Sequence, residues 1–264
     1  MHRYLAVRPP AGPAGIRLFC FHHAGAGAMS FAGWRRSVGP GVSVLPVRLP
    51  GRESRLREAR ITDGDQLVRE LTDDLGELLD GPEPYAFYGH SLGAMVAYRF
   101  AEHLVRTGRR PPLMVMAGAS PAPQLPSAVL DGPGALLPDA PDEELLKGLG
   151  DEDSLPAQLL ERPGWLALTL DTLRADLRLA RSLRSAPMVA LPCPVAAFAG
   201  ADDQLVSPAE VAAWEHCTTA GFRLWTLPGA HFFVRGAELP RRVGEALNVE
   251  SVFAGAPPLP PVAG

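Results

Sequence analysis

Residues 85–97 read Tyr85-Ala86-Phe87-Tyr88-Gly89-His90-Ser91-Leu92-Gly93-Ala94-Met95-Val96-Ala97. A short apolar run stops at Gly89-His90-Ser91-Leu92-Gly93, and a helical pattern starts at once. This predicts a strand, a tight turn and a helix, with a serine at the apex. Such a turn forces Ser91 into a strained backbone conformation and pushes its hydroxyl out above the sheet edge. Gly89 and Gly93 suit positions where strand and helix backbones approach too closely for a Cβ. The hydroxyl then lies beside a helix N-terminus, whose N–H groups stabilise negative charge. The pentapeptide alone is also compatible with an ordinary helix start, so its reading depends on what the rest of the chain supplies.

Outward from that stretch, strands and helices alternate. Arg17–Phe21, Val42–Val47, Leu113–Ala117, Cys193–Gly200 and Phe222–Leu227 read as strands, the second near an edge because Pro46 cannot donate to a ladder. Leu67, Val68, Leu71, Leu75, Leu78 and Leu79 mark an amphipathic helix ended by Gly81-Pro82. The helix after Ser91 runs to about Thr107. Ser207-Pro208-Ala209-Glu210 carries the N-cap signature of another, and Leu239, Val243 and Leu247 mark the last. This order predicts an α/β fold with a mostly parallel central sheet and helices on both faces.

Residues 1–14 read as an irregular Pro/Gly-rich arm. Between two strands the pattern changes: Pro and Gly crowd 121–138, a short helix starts with acid at Asp142-Glu143-Glu144, and Trp165–Leu183 is one longer helix. We expect a core of residues 1–121 and 188–250, a helical insertion at 122–187 and a flexible tail at 251–264. The insertion stands where a lid over the strand ends belongs, although a purely structural cap has the same pattern.

Composition excludes several classes. At 47% apolar and 20% charged residues, with net charge −4, the 264 residues show neither the basic excess of a nucleic-acid binder nor an acidic tail. No apolar run approaches the ~20 residues that span a bilayer. Met1-His2-Arg3-Tyr4 does not open a secretory signal. Cys20, Cys193 and Cys217 form neither a disulfide framework nor a zinc spacing, which points to a reducing cytoplasm. His22-His23 finds no further metal ligands in the sequence. We expect no metal and no bound cofactor.

A serine hydroxyl becomes a nucleophile when a histidine takes its proton and a carboxylate holds that histidine in the right tautomer. Here Ser91, an acid at Asp202 or Asp203, and His231 follow one another, each just after a predicted strand. That is the chain order of a nucleophile-elbow hydrolase. Asp203 is favoured over Asp202, because the loop needs a few residues to turn after Gly200. The Gly-rich loop His22–Gly27 is placed to donate one backbone N–H to an oxyanion, taken at Ala24, and Leu92 to donate the second. His22, His23, His90 on the elbow, and His103 and His216 on helices are weaker candidates for the base. Arg48 to Arg60 contains five arginines with Glu53 and Glu58 among them. Most read as solvated loop residues in local ion pairs, and a basic rim facing an acidic partner is the alternative.

These motifs resemble the type II thioesterases, discrete α/β-hydrolases that accompany polyketide synthases and nonribosomal peptide synthetases. The resemblance covers nearly the whole chain: Phe21-His22-His23-Ala24-Gly25, where the family usually has Phe-Pro-His-Ala-Gly, then Leu49-Pro50-Gly51-Arg52-Glu53 and Tyr88-Gly89-His90-Ser91-Leu92-Gly93. It continues through Asp142-Glu143-Glu144-Leu145, Arg174-Ala175-Asp176, Gly200-Ala201-Asp202-Asp203 and Gly229-Ala230-His231-Phe232-Phe233. It implies Asp203 as the acid, an acyl-Ser91 intermediate and hydrolysis of acyl groups from the phosphopantetheine arm of acyl or peptidyl carrier proteins, clearing stalled or wrongly primed chains. A carboxylesterase or lipase acting on free esters, and a non-catalytic scaffold of the same fold, are the alternative classes. Carrier-bound thioesters tested beside nitrophenyl esters separate the first, and failure of a fluorophosphonate to label Ser91 would mark the second.

Overall fold

The computed structural model describes residues 2–10, 15–133, 135–148 and 163–247. Among them are six strands: β1 (Ile16–Phe21), β2 (Val42–Pro46), β3 (Tyr85–His90), β4 (Val115–Gly118), β5 (Val195–Gly200) and β6 (Phe222–Leu227). The helices are α1 (Trp34–Ser37), α2 (Gly64–Asp80), α3 (Leu92–Arg106), α4 (Ala128–Asp131), α5 (Asp142–Gly148), α6 (Pro163–Arg184), α7 (Pro208–Ala212) and α8 (Glu238–Ala246).

The strands form one sheet in the order β2-β1-β3-β4-β5-β6, and every adjacent pair is parallel. Parallel strands covered on both faces read as unbroken apolar runs, and β1, β3, β4 and β5 are buried at every position. Alternation then sorts their side chains. Phe19, Phe21, Tyr85 and Phe87 pack with Leu71 and Leu75 of α2, Phe100 of α3 and Leu177 of α6. Leu18, Cys20, Ala86 and Tyr88 pack on the opposite face with Trp34 of α1 and Leu239 and Val243 of α8. The chain leaves β1 toward one edge and returns at β3 to build toward the other. The crevice beyond the carboxyl ends of β1 and β3 is therefore the topological switch point, where such sheets bind ligands.

β2 is an edge strand, as Pro46 predicts. Its outer side is closed by the N-terminal arm: Leu5 bridges Val47 in antiparallel sense, the Ala6 N–H donates to the Pro46 carbonyl at 3.0 Å, and Tyr4 and Leu5 are buried. The described part of the arm is irregular apart from this bridge, and it serves as an edge cover. Two strands start two residues later than their apolar runs suggest. β5 begins at Val195 because Pro194 has no N–H to give a ladder, and β4 begins at Val115, whose N–H bonds the Pro194 carbonyl at 3.0 Å.

Between β4 and β5 the chain leaves the sheet through α4, α5 and α6. The 22-residue α6 packs on α2 and α3, burying Leu170, Leu173, Leu177 and Leu183. The tail expected at 251–264 lies outside the described residues, as do residues 149–162 of the insertion.

Candidate active site

Ser91 sits between β3 and α3 with φ 54° and ψ −114°. A non-glycine residue there stores about 1–3 kcal/mol of backbone strain. The turn persists because its flanks allow no alternative. A Cβ on Gly89 would lie 1.9 Å from the Gly93 carbonyl oxygen, and one on Gly93 would lie 2.1 Å from the Phe21 carbonyl oxygen. The Ser91 N–H is fixed by the Gly118 carbonyl of β4 at 2.7 Å. Leu92 is the first residue of α3, so its N–H belongs to the unpaired N-terminal set.

His231 lies in the loop after β6, and its Nδ1 donates to Asp203 Oδ2 at 2.9 Å. A carboxylate only accepts, so the proton of the neutral ring stands on Nδ1 and Nε2 is left as an acceptor. Asp203 Oδ1 accepts the N–H groups of Leu205 (2.8 Å) and Val206 (3.1 Å). Burial would raise this carboxyl, but His231 and the two N–H groups outweigh it and hold the acid below its ordinary range. Asp202 is exposed and turned elsewhere: its carboxylate accepts the Gly229 N–H at 3.3 Å and braces the loop that carries His231.

A cavity of about 90 Å³ brings together Ser91, His231, Ala24 and Leu92. Its walls are largely apolar, with Met95 from α3 and Leu173, Leu177 and Ala180 from α6. Arg184 also lines it, its guanidinium held by the carbonyls of Pro121 (3.4 Å), Ala122 (3.3 Å) and Leu125.

Two further histidines, His90 and His23, lie behind this pair. His90 is fully buried; its Nε2 donates to the His231 carbonyl at 2.8 Å, which leaves Nδ1 to accept from the Tyr88 hydroxyl at 2.9 Å. Burial, then the neighbouring His231, lowers its pKa to about 3. The weak candidate for the base is thus a neutral brace behind the stronger one. Its place at the end of β3 was the available signal, since a polar residue closing a buried strand must find a partner. His23 lies edge-on to His90 and tilted against Phe232, and burial holds it neutral. No group of three or more His, Cys, Asp or Glu suited to a metal occurs among the described residues.

The arginine stretch corrects the expectation of a solvated loop. The Arg52 and Arg55 side chains are 7% and 4% exposed. Arg55 pairs with Glu58 at 2.7 Å and lies over the Tyr4 ring at 4.3 Å, while Arg52 pairs with Asp176 of α6 at 2.7 Å. Arg57 alone of these three is exposed. Sequence reasoning did not pair Arg52 with Asp176. The signal was an acid on the apolar stripe of α6, one turn after Leu173 and beside Leu177.

The thioesterase domain profile matches residues 16–248. The chain belongs to the thioesterase family. This thioesterase is 33% identical over 239 residues to linear gramicidin dehydrogenase LgrE of Brevibacillus parabrevis, covering 89% of this chain and 88% of that one. Among solved structures, the RedJ thioesterase of the prodiginine pathway in Streptomyces coelicolor superposes with a TM-score of 0.79 at 34% identity, covering 93% of this chain and 96% of RedJ. The type II thioesterase BorB from the borrelidin biosynthetic cluster gives 0.76 at 29%, covering 94% and 97%. In the loop after β1 the Gly25 N–H donates to Asp176 Oδ2 at 2.8 Å. Family and fold make this chain a thioester hydrolase. No helix among the described residues is long and apolar enough to cross a membrane.

Proposed function

We propose that this thioesterase removes acyl groups from the phosphopantetheine arms of acyl or peptidyl carrier proteins, clearing stalled or misprimed chains from a synthase. The observation that carries the reading is the joining of strained Ser91 and the His231–Asp203 pair at one apolar cavity. The Ser91 hydroxyl attacks the thioester carbonyl as His231 Nε2 takes its proton. The N–H groups of Ala24 and Leu92 receive the oxyanion. The tetrahedral adduct collapses, the C–S bond breaks, and His231 returns the proton to the departing thiolate of the arm. Water then attacks the acyl-Ser91 ester by the same route and frees the carboxylic acid. No cofactor enters these steps, because phosphopantetheine arrives on the partner.

The apolar walls suit an acyl chain, and the insertion that supplies α6 serves as the lid under which the arm must pass. The names of RedJ and BorB, from two biosynthetic pathways, support a place beside a synthase. Three unpaired, buried cysteines support a reducing cytoplasm.

The test is a hydrolysis panel: one set of acyl groups, each on a carrier protein, on truncated pantetheine and as a nitrophenyl ester. We expect kcat/KM to be highest on the carrier. Equal or better turnover of the free esters would make this a small-molecule esterase of the same family.

A further inference from the structure

The oxyanion donor proposed at Ala24 sits between two peptide planes, and both are anchored. The trans plane joining His23 to Ala24 carries the His23 carbonyl at one end and the Ala24 N–H at the other, so fixing one aims the other. That carbonyl accepts from His22 Nδ1 at 2.9 Å and from the Ala26 N–H at 3.2 Å. The next plane carries the Gly25 N–H, which donates to Asp176 Oδ2 at 2.8 Å. Gly25 has φ 74°, a conformation that leaves the loop little stiffness of its own.

Asp176 does not belong to the loop. It stands on α6, 151 residues away in sequence, and its carboxylate is 1% exposed. Arg52 holds it in place with a fork: Nη2 donates to Oδ1 at 2.7 Å and Nη1 to Oδ2 at 2.9 Å. The same Nη1 donates to the Ala26 carbonyl at 2.7 Å, so the loop is gripped on both sides of Gly25. Leu173, one turn earlier on α6, packs over Gly25. For stability alone, such a buried pair is a poor investment, since an apolar pair of similar volume does as well or better. Its geometry, by contrast, is directed at one short loop.

We propose that the Arg52–Asp176 pair is a positioning device that aims the Ala24 N–H at the oxyanion, and that it does so only while α6 is seated on the core. The inference rests on the thioesterase reading of Ser91 given above.

The test compares Asp176→Ala, Asp176→Asn and the double variant Arg52→Met/Asp176→Leu, which leaves no unpaired buried charge if the single change unfolds the protein. Four quantities are read: kcat and KM on an acyl-pantetheine thioester, Ki of the matching acyl trifluoromethyl ketone, the rate of Ser91 labelling by a fluorophosphonate, and Tm. Loss of one oxyanion donor costs about 10²–10³ in rate, so misaiming one should cost about 10–10²-fold. We expect that loss in kcat and in labelling for Asp176→Ala and for the double variant, with KM within about threefold. The ketone, whose adduct carries an oxyanion, should lose affinity by the same factor as kcat/KM. Asp176→Asn, whose amide oxygen still accepts the Gly25 N–H while its NH2 faces the Arg52 guanidinium, should fall between Asp176→Ala and wild type. Variants that lose only Tm, while kcat/KM and ketone affinity stay at wild-type values, overturn the proposal and make the pair structural. A wild-type protein that neither labels nor hydrolyses overturns the reading of Ser91, and this inference with it. Wild-type labelling without thioester turnover leaves the labelling rates and ketone affinities of the variants to decide the inference separately.

Discussion

At the scale of single residues, two adjacent acids with the same chemistry have different surroundings. Asp203 is buried, faces His231 and accepts two backbone N–H groups; Asp202 is exposed and accepts one weak bond from Gly229. Asp203→Asn should therefore cost about 10³-fold or more in kcat, by disturbing the histidine tautomer. Asp202→Asn should cost under about tenfold, since an amide oxygen can still brace the loop. Steady-state kinetics of both variants check this, and reversed penalties would reassign the acid. Ser91→Ala should fold normally and lose about 10⁴–10⁶ in turnover. Mass spectrometry after brief exposure of the unaltered enzyme to a slow substrate should find the acyl group on the peptide containing Ser91. An adduct elsewhere would move the nucleophile.

At the scale of elements, the arginine-rich connection between β2 and α2 turns out to hold the molecule together. Arg55 donates to Glu58 and to the Arg48 carbonyl and stacks on Tyr4, whose hydroxyl reaches Glu70 of α2 at 2.7 Å. The residue thereby clamps the N-terminal arm over the β2 edge. Arg55→Glu puts an unpaired carboxylate at a buried position beside the exposed Glu58 and should cost about 3 kcal/mol of stability, read as the shift in denaturant midpoint. Carrier-bound and truncated substrates should lose rate together at a temperature where the variant begins to unfold. Arg57→Glu, on the exposed side of the same stretch, should leave stability within about 0.5 kcal/mol of wild type. A fall confined to the carrier-bound substrate in either variant would restore a docking role to this segment.

At the scale of the whole molecule, acid sensitivity follows from the buried histidines. Burial lowers His22 to about 4 and His90 to about 3, in the first case with Arg52 adding to the effect. Their unfolded values lie near ~6.5. Below that pH the unfolded chain binds protons that the folded chain refuses, so stability falls as pH drops from ~6.5 toward those folded values. By the end of its range the loss is roughly 3 kcal/mol for His22 and, with its larger shift, roughly 5 kcal/mol for His90. Carboxylates act lower: Glu58, held at about 2 chiefly by its Arg55 hydrogen bond, contributes stability that is present above ~4.3 and lost toward 2. Denaturant titrations from pH 7 to 4 should therefore show decline beginning near 6.5. His22→Asn, which cannot titrate, should flatten part of that slope. A flat profile down to about pH 5 would show that these histidines titrate normally.

Much of this protein was legible in its sequence, and the legible parts share a cause. The elbow at Ser91, the parallel order of strands, α2, α6 and the succession Ser91, Asp203, His231 are written in backbone sterics and short periodicities, which act over a few residues. That Asp203 rather than Asp202 faces His231 agrees with how far a loop must run after Gly200. What the sequence left open depends on residues meeting across the chain. That the N-terminal arm would cover β2, and that His90 would brace His231 across 141 residues, has no local signature. The same holds for Arg52, which finds Asp176 across 124 residues. A buried polar atom must find a partner, and a sequence shows only that the demand exists. Which partner meets it is decided when β1, β3 and β6 bring their carboxyl ends to one edge and α6 packs down over them.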